Sequence, residues 1–259
     1  MKIVIRILDE IGENLLFLQK IGRALKAGEI SSHMVFEQIW KVTVASAGTT
    51  ALAGFFVGAI MAVQFTLQMK EFGALGYLGG VATSATIREI GPLLIAFMLS
   101  GKVGAFTSAE LGTMRVTEQL DAIRCLGADP LKEIVVPRFI AIVVASFFLL
   151  GAGLIMSIGG GLILGNFFSR VHWQEYIRHI PQVVHPASLL IGLIKCVVFA
   201  IVLGTICTYK GYTASGGAKG VGRAVVSTAV VTMICIVFMD WLTSFVAEMV
   251  IQSVRGFRA

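Results

Sequence analysis

Long stretches without a formal charge constrain this chain more than any other feature of its sequence. Phe139 to Phe168 is a run of thirty residues without Asp, Glu, Lys or Arg, and Val42 to Met69 also lacks them. A helix needs about 20 apolar residues to cross the hydrocarbon core of a bilayer, so both segments are long enough. Only 14% of the chain is charged, whereas a soluble domain has about a quarter. The sequence therefore predicts an integral membrane protein.

Three further apolar segments predict additional spans, although each contains charge. Lys195 interrupts the first, Asp240 the second, and Arg88, Glu89 and Lys102 the third. The predicted fold is all-α, with a single domain over residues 1–259 and about five transmembrane helices. The predicted spans are 42–69, 85–106, 134–168, 186–210 and 224–253.

The first forty residues predict an amphipathic helix rather than a cleaved signal peptide. Apolar residues from Ile3 to Leu25 recur at intervals of three or four, which is helical periodicity. Arg6, Asp9 and Glu10 break any continuous apolar core of the kind that a signal peptide needs. We expect residues 1–40 to lie in the membrane interface, with packing on a soluble partner as the alternative.

The distribution of basic residues predicts the topology. With the amino terminus inside, the cytoplasmic segments hold thirteen basic residues: six before the first span, four between spans two and three, and three between spans four and five. The outer segments hold five, of which Arg255 and Arg258 are the last. The positive-inside rule therefore favours a cytoplasmic amino terminus and a periplasmic carboxyl terminus.

A charged insert, residues 109–127, separates spans two and three. On a helical wheel the insert has one apolar side and one charged side. The apolar side comprises Val116, Leu120, Ile123 and Leu126, and the charged side comprises Arg115, Glu118, Asp121 and Arg124. Gly127 and then Asp129-Pro130 end the helix. Periodicity alone also allows this short helix to lie on the inner headgroups.

Three blocks of sequence closely resemble the MlaE/YrbE permease family. The longest runs from REIGPLLIAFMLSG at residue 88 through SAELGTMRVTEQLDAIRCLGADP to Ala141, and the others are AGFFVGAIMAVQ (53–64) and residues 189–231. Members of this family are membrane subunits of Mla-type ABC lipid transporters that work with MCE-domain proteins. The likeness covers essentially the whole chain.

The resemblance implies that the insert is a cytoplasmic coupling helix, which docks on a separate ATPase. The implied coupling residues are Arg115, Glu118, Gln119, Asp121, Ala122, Arg124, Leu126 and Gly127. The glycine-rich segment 216–224 is not a phosphate loop, because Arg223-Ala224 stands where Lys and Ser or Thr are required. We therefore expect a non-catalytic subunit without a cofactor of its own, and a partner ATPase that binds ATP and magnesium.

Polar residues within and beside the spans predict a substrate pocket, because ionisable groups in hydrocarbon are costly and usually lie along a transport path. The candidate residues are Gln64, Phe65, Gln68, Met69, Phe72, Tyr77, Arg88, Glu89, Lys195 and Asp240. Lys195 can balance the charge of Glu89 or Asp240 on another helix. The alternative is that these charges only hold the bundle together and that the aromatic residues are ordinary packing. The spacing of His and Cys predicts no metal site.

The resemblance implies a permease subunit that moves glycerophospholipids between the bacterial inner membrane and a periplasmic MCE-domain carrier, maintaining outer-membrane lipid asymmetry. The expected partners are a second copy of the chain, a cytoplasmic ABC ATPase dimer and an MCE-domain oligomer, and nucleic acid is not among them. A STAS-domain subunit, the lipid headgroup and the direction of transport stay open. The alternatives are an ATP-independent secondary transporter or channel, and a membrane enzyme acting on lipids.

Overall fold

The computed structural model describes residues 2–28 and 30–256. Met1 and Glu29, within the predicted interfacial segment, and Arg258, in the charge count, lie outside the described residues. All regular secondary structure in the described part is helical, as the composition predicted.

Five helical segments are long and apolar enough to cross a membrane, which confirms the predicted number of spans. They are Ser32–Glu71, Leu75–Val116, Leu131–Ser169, Pro186–Tyr212 and Gly217–Ser253. Each extends beyond its predicted limits, except that the fourth keeps its predicted start and the fifth its predicted end. The helices are longer than predicted because backbone hydrogen bonding continues into the flanking polar residues, whereas hydropathy identifies only the apolar part that can lie in the hydrocarbon core.

The helices follow one another along the chain with short connections. They are α1 (Lys2–Lys26), α2 (Ser32–Glu71), α3 (Leu78–Ala85), α4 (Gly91–Leu99), α5 (Ala105–Val116), α6 (Gln119–Cys125), α7 (Val136–Ser169), α8 (Trp173–Arg178), α9 (Ile180–Val183), α10 (Pro186–Tyr212) and α11 (Gly217–Gly256). Span two therefore consists of α3, α4 and α5.

Wider π-helical turns join the three parts of span two. They occupy Thr86–Ile90 and Ser100–Gly104. Such turns are rare overall, and many of those that occur lie at functional sites. The first contains Arg88 and Glu89, and the second contains Lys102. The three charged residues of the predicted span 85–106 therefore lie where the helix departs from regular α geometry.

The chain forms two compact units, each assembled from several parts of the sequence. Unit 1 comprises the residues up to Thr43, Leu99–Ala145 and Ala200–Cys235, and its core joins Phe17 and Ile21 of α1 to Leu111 and Phe139. Part of the apolar stripe of α1 thus packs on its own chain. Other residues of that stripe, such as Ile11 and Leu15, are at least half exposed.

Unit 2 comprises Val44–Met98, Ser146–Phe199 and the residues from Ile236 onward. Its helices α2 and α7 approach closely, because Gly54 and Gly58 of α2 lie directly against the backbone of Gly153 and Ser157. Glycine permits this approach because it has no Cβ, and the four-residue interval between Gly54 and Gly58 places both on the same face of α2.

The predicted coupling helix 109–127 is divided in the structure. Its first part is the end of α5, which stops at Val116, and the chain then turns through Glu118 at a left-handed φ of 60° before α6 begins. Leu120 is fully buried, as its apolar side predicted, but Leu126 is 86% exposed. Leu126 lies at the C-cap of α6, where helical periodicity no longer determines which side a residue occupies.

Candidate functional site

A buried lysine on span four is the centre of an ionic cluster. The Lys195 side chain is 1% exposed, and its Nζ forms an ion pair with Glu89 and lies 3.0 Å from Asp240 Oδ1. Glu89 belongs to span two, Lys195 to α10 and Asp240 to α11. The two pairings that the sequence offered as alternatives therefore both form. A buried charge is stable only when it is paired and hydrogen-bonded, so the two carboxylates stabilise the buried ammonium of Lys195, and the ammonium offsets the repulsion between them.

Ser244 completes the contacts of the buried ammonium, and sequence reasoning missed it. Lys195 Nζ donates to Ser244 Oγ over 2.6 Å, and Ser244 Oγ lies 3.1 Å from Glu89 Oε2. Ser244 follows Asp240 by four residues and therefore lies on the same face of α11. That spacing is the signal by which the sequence could have identified it.

A second ion pair involves the neighbouring residue of span two. Arg88 Nη2 lies 3.6 Å from Glu248 Oε2, and both side chains are more than a third exposed. Glu248, which the sequence analysis also missed, is the next residue in the four-residue series that begins with Asp240 and Ser244. We call Arg88, Glu89, Lys195, Asp240, Ser244 and Glu248 the Lys195 cluster. It contains three acids and two bases, so its formal charge is −1.

The remaining predicted pocket residues lie at the end of α2 and just after it. Gln64, Gln68 and Phe72 are exposed, and Met69 is half-buried. Phe65 packs beside Leu78 and Tyr176, and the half-exposed Tyr77 ring lies 4.8 Å from the His179 ring. In the described part of the chain, no hydrogen bond or ion pair joins these residues to the Lys195 cluster. The structure therefore brings together the ionisable residues of the predicted pocket, which are Arg88, Glu89, Lys195 and Asp240. All four belong to unit 2.

Charged residues of the predicted coupling segment bind one another. Arg115 Nη1 donates to both carboxylate oxygens of Asp121, over 2.9 and 2.8 Å, and Arg124 Nη1 donates to Asp121 Oδ1 over 2.9 Å. Arg124 also donates to the hydroxyl of Tyr212, the last residue of α10. The other predicted coupling residues, which are Glu118, Gln119, Ala122, Leu126 and Gly127, are exposed.

Metal binding was not expected, and the residues that the structure describes contain no group of three or more His, Cys, Asp or Glu side chains that could hold a metal ion. The contacts of the Lys195 cluster are ion pairs and hydrogen bonds.

Five apolar spans with an ionic cluster shared by three of them, and a short polar helix after span two, define a multi-pass membrane protein of the transporter class. Residues 35–246 match the family described as Permease MlaE, and the chain belongs to that family. This confirms the resemblance predicted from the sequence.

Proteins similar to this chain occur in bacteria and in a plant. A probable ABC transporter permease protein of Rickettsia conorii is 34% identical over 209 residues, which are 81% of each chain. A protein with the same description from Synechocystis sp. is 33% identical over 82% of this chain and 81% of its own. The Arabidopsis thaliana protein TRIGALACTOSYLDIACYLGLYCEROL 1, chloroplastic, is 30% identical over 87% of this chain and 64% of its own. This chain is therefore a permease subunit of an ABC transporter, a class that works with an ATPase partner.

Proposed function

We propose that two copies of this chain form the membrane part of a transporter that moves glycerophospholipids between the bacterial inner membrane and a periplasmic MCE-domain carrier. A cytoplasmic ATPase dimer binds ATP and magnesium and drives the cycle, while the permease itself performs no chemistry. In this arrangement the amino terminus is cytoplasmic and the carboxyl terminus periplasmic. The transport maintains the lipid asymmetry of the outer membrane, and a STAS-domain subunit can complete the complex.

The observation that carries this proposal is the Lys195 cluster within apolar spans. A glycerophospholipid needs polar contacts for its phosphate and headgroup and apolar surface for its acyl chains. The cluster offers carboxylates, a hydroxyl and, in the partly exposed Arg88, a guanidinium that can contact phosphate. The aromatic and amide side chains at the end of α2 offer a mixed surface of the same kind.

The name of one relative supports a lipid as the cargo. The Arabidopsis thaliana protein is named after trigalactosyldiacylglycerol, a lipid with two acyl chains and an uncharged sugar headgroup. A glycerolipid appears both in that name and, as the cargo, in our proposal, whereas the headgroup differs.

The test is ATP-dependent lipid movement by the complete complex in proteoliposomes, together with mass spectrometry of the lipids that co-purify. We expect the wild-type complex to carry glycerophospholipid and to move it only when ATP and the ATPase are present. Glu89→Gln removes one of the two carboxylates that pair with Lys195, and Lys195→Met leaves Glu89 and Asp240 without their shared ammonium, so each change should lower the amount of bound lipid. Glu37→Gln, which changes an exposed acid near the start of α2 and away from the candidate pocket, is the matched control.

Two results would contradict the proposal. Lipid movement of equal rate without the ATPase would indicate a secondary transporter or channel. Unchanged lipid content in both cluster variants would assign Lys195 and Glu89 to holding the helices together.

A further inference from the structure

Helix α6 is tied to two membrane-spanning helices by one chain of polar contacts. Arg115 is in the last turn of α5, Asp121 and Arg124 are on α6, and Tyr212 ends α10. The contacts run in series from Arg115 to Asp121, to Arg124 and to Tyr212. We call these four residues the Asp121 clamp. All of them belong to unit 1.

The geometry of the clamp restricts the movement of α6. Asp121 accepts three hydrogen bonds from two guanidinium groups, so both of its oxygens are held. The Arg124 guanidinium also lies over the Tyr212 ring, with its Cζ 5.8 Å from the ring centroid. The same ring packs 5.7 Å from that of Phe17 in α1. Planar guanidinium groups form such paired and stacked contacts in a fixed orientation.

The clamp also changes which surface of α6 is open to a partner. Asp121 and Arg124, which the sequence offered for pairing with an ATPase, bind within the chain. The other exposed side chains of residues 118–126 are Glu118, Gln119, Ala122, Cys125 and Leu126, of which Leu126 is 86% exposed. Ala122 and Leu126 offer apolar contacts to a partner, and the contacts of Asp121 and Arg124 hold α6 in place.

We infer that the Asp121 clamp transmits the displacement of α6 to α10, the helix that also carries Lys195. Tyr212 and Arg124 are positioning residues, since they act through α6 and contact no substrate. This inference rests on the proposed coupling role of α6. Loss of the hydrogen bond from Arg124 to the Tyr212 hydroxyl removes the direct polar link between α6 and α10. The displacement of α10 should then follow that of α6 less closely, through the packing of α5 on Gly211 and the remaining ring contact.

The test is Tyr212→Phe in the complete transporter, measured as lipid transferred per ATP hydrolysed. The change removes one hydroxyl and keeps the ring on Phe17. We expect the transfer ratio to fall by about fivefold or more, the lower end of typical coupling between sites, while the ATPase still co-purifies. Asp121→Asn, which weakens the clamp at its centre, should act in the same direction.

The matched control is Tyr209→Phe, one helical turn earlier on α10. Its hydroxyl bonds Glu13 of α1 and not α6, so the transfer ratio should stay at the wild-type value. Equal losses in both tyrosine variants would indicate a general packing role and overturn the inference, as would a wild-type ratio in Tyr212→Phe. Loss of the ATPase from either clamp variant would also overturn it, because the residues would then serve docking.

A second measurement does not depend on the identity of the cargo. Spin labels on the exposed Cys125 of α6 and on Thr213→Cys, in a chain with Cys235→Ala, report the distance between α6 and the end of α10. On ATP binding by the assembled ATPase, this distance should stay constant in the wild type and change in Tyr212→Phe. A distance that changes equally in both refutes the clamp. If the distances behave as expected but the wild type transfers no lipid, the proposed cargo is refuted and the inference about the clamp stands.

Discussion

Alanine at Gly58 is expected to force two membrane-spanning helices apart. A Cβ built on Gly58 would lie 1.8 Å from the carbonyl oxygen of Ser157 and 2.5 Å from its carbonyl carbon. These are backbone atoms of α7, so no side-chain rotation can remove the clash. One of the two helices must move.

The size of the effect follows from these distances. Carbon and oxygen approach to about 3.3 Å in weak hydrogen bonds, so α2 and α7 must separate locally by about 1.5 Å. Overpacking costs about 1–3 kcal/mol, and we expect about 3 kcal/mol of unfolding free energy here because the obstacle is a helix backbone. For a chain of this size that corresponds to a fall in Tm of about 6–12 °C.

A thiol-reactive fluorogenic dye can measure this change in detergent, because unfolding exposes the buried Cys196 and Cys207. Gly48→Ala is the control on the same helix, since a Cβ at Gly48 would meet no atom within 4 Å. A Gly58→Ala protein that melts together with Gly48→Ala would refute the close-packing argument.

Two further predictions concern a buried ion pair and a buried phenol. The Arg138 side chain is 9% exposed, and its Nη2 lies 3.0 Å from Glu110 Oε2. Glu110→Gln should therefore lower the unfolding free energy by about 2 kcal/mol in the same dye assay, because it leaves the buried guanidinium without its carboxylate. A larger loss in Glu110→Gln/Arg138→Met than in the single variant would contradict this. Burial raises the pKa of Tyr176, in α8 outside the spans, from 10.0 to about 12. Since the buried form is neutral, its contribution to stability is complete below the ordinary pKa and is lost as pH rises from about 10 to 12. The ultraviolet difference spectrum between wild type and Tyr176→Phe should show a phenolate appearing near pH 12, and ionisation at the ordinary pKa would contradict burial.

The membrane fold could be predicted from the sequence because the bilayer imposes a local requirement. Any run such as Phe139 to Phe168 must be helical in hydrocarbon, where unpaired backbone groups cost several kcal/mol. The turn at Glu118 could not be predicted in the same way. A left-handed residue is uncommon outside glycine, and the periodicity of the insert continues through Glu118 without a visible break.

The candidate site was predictable in part for a similar reason. Ionisable residues are conspicuous in apolar spans, so Glu89, Lys195 and Asp240 stood out individually. Ser244 was harder to identify, because hydroxyl groups are common in membrane helices and usually bond their own backbone. Its spacing from Asp240 places it on the same face of α11, but only the neighbouring helices determine that it contacts Lys195 and Glu89.

Composition and hydrophobic length alone determined that this chain is a helical membrane protein with five spans, because each span in hydrocarbon must be apolar and must pair its own backbone hydrogen-bonding groups. The tertiary structure decided which charges meet. Lys195 could pair with Glu89 or Asp240 as far as the sequence was concerned, and the packing of three helices gives it both. It also decided that Asp121 and Arg124 bind within the chain. Such partners depend on how helices distant in sequence are rotated and placed against one another, and hydropathy does not encode that rotation.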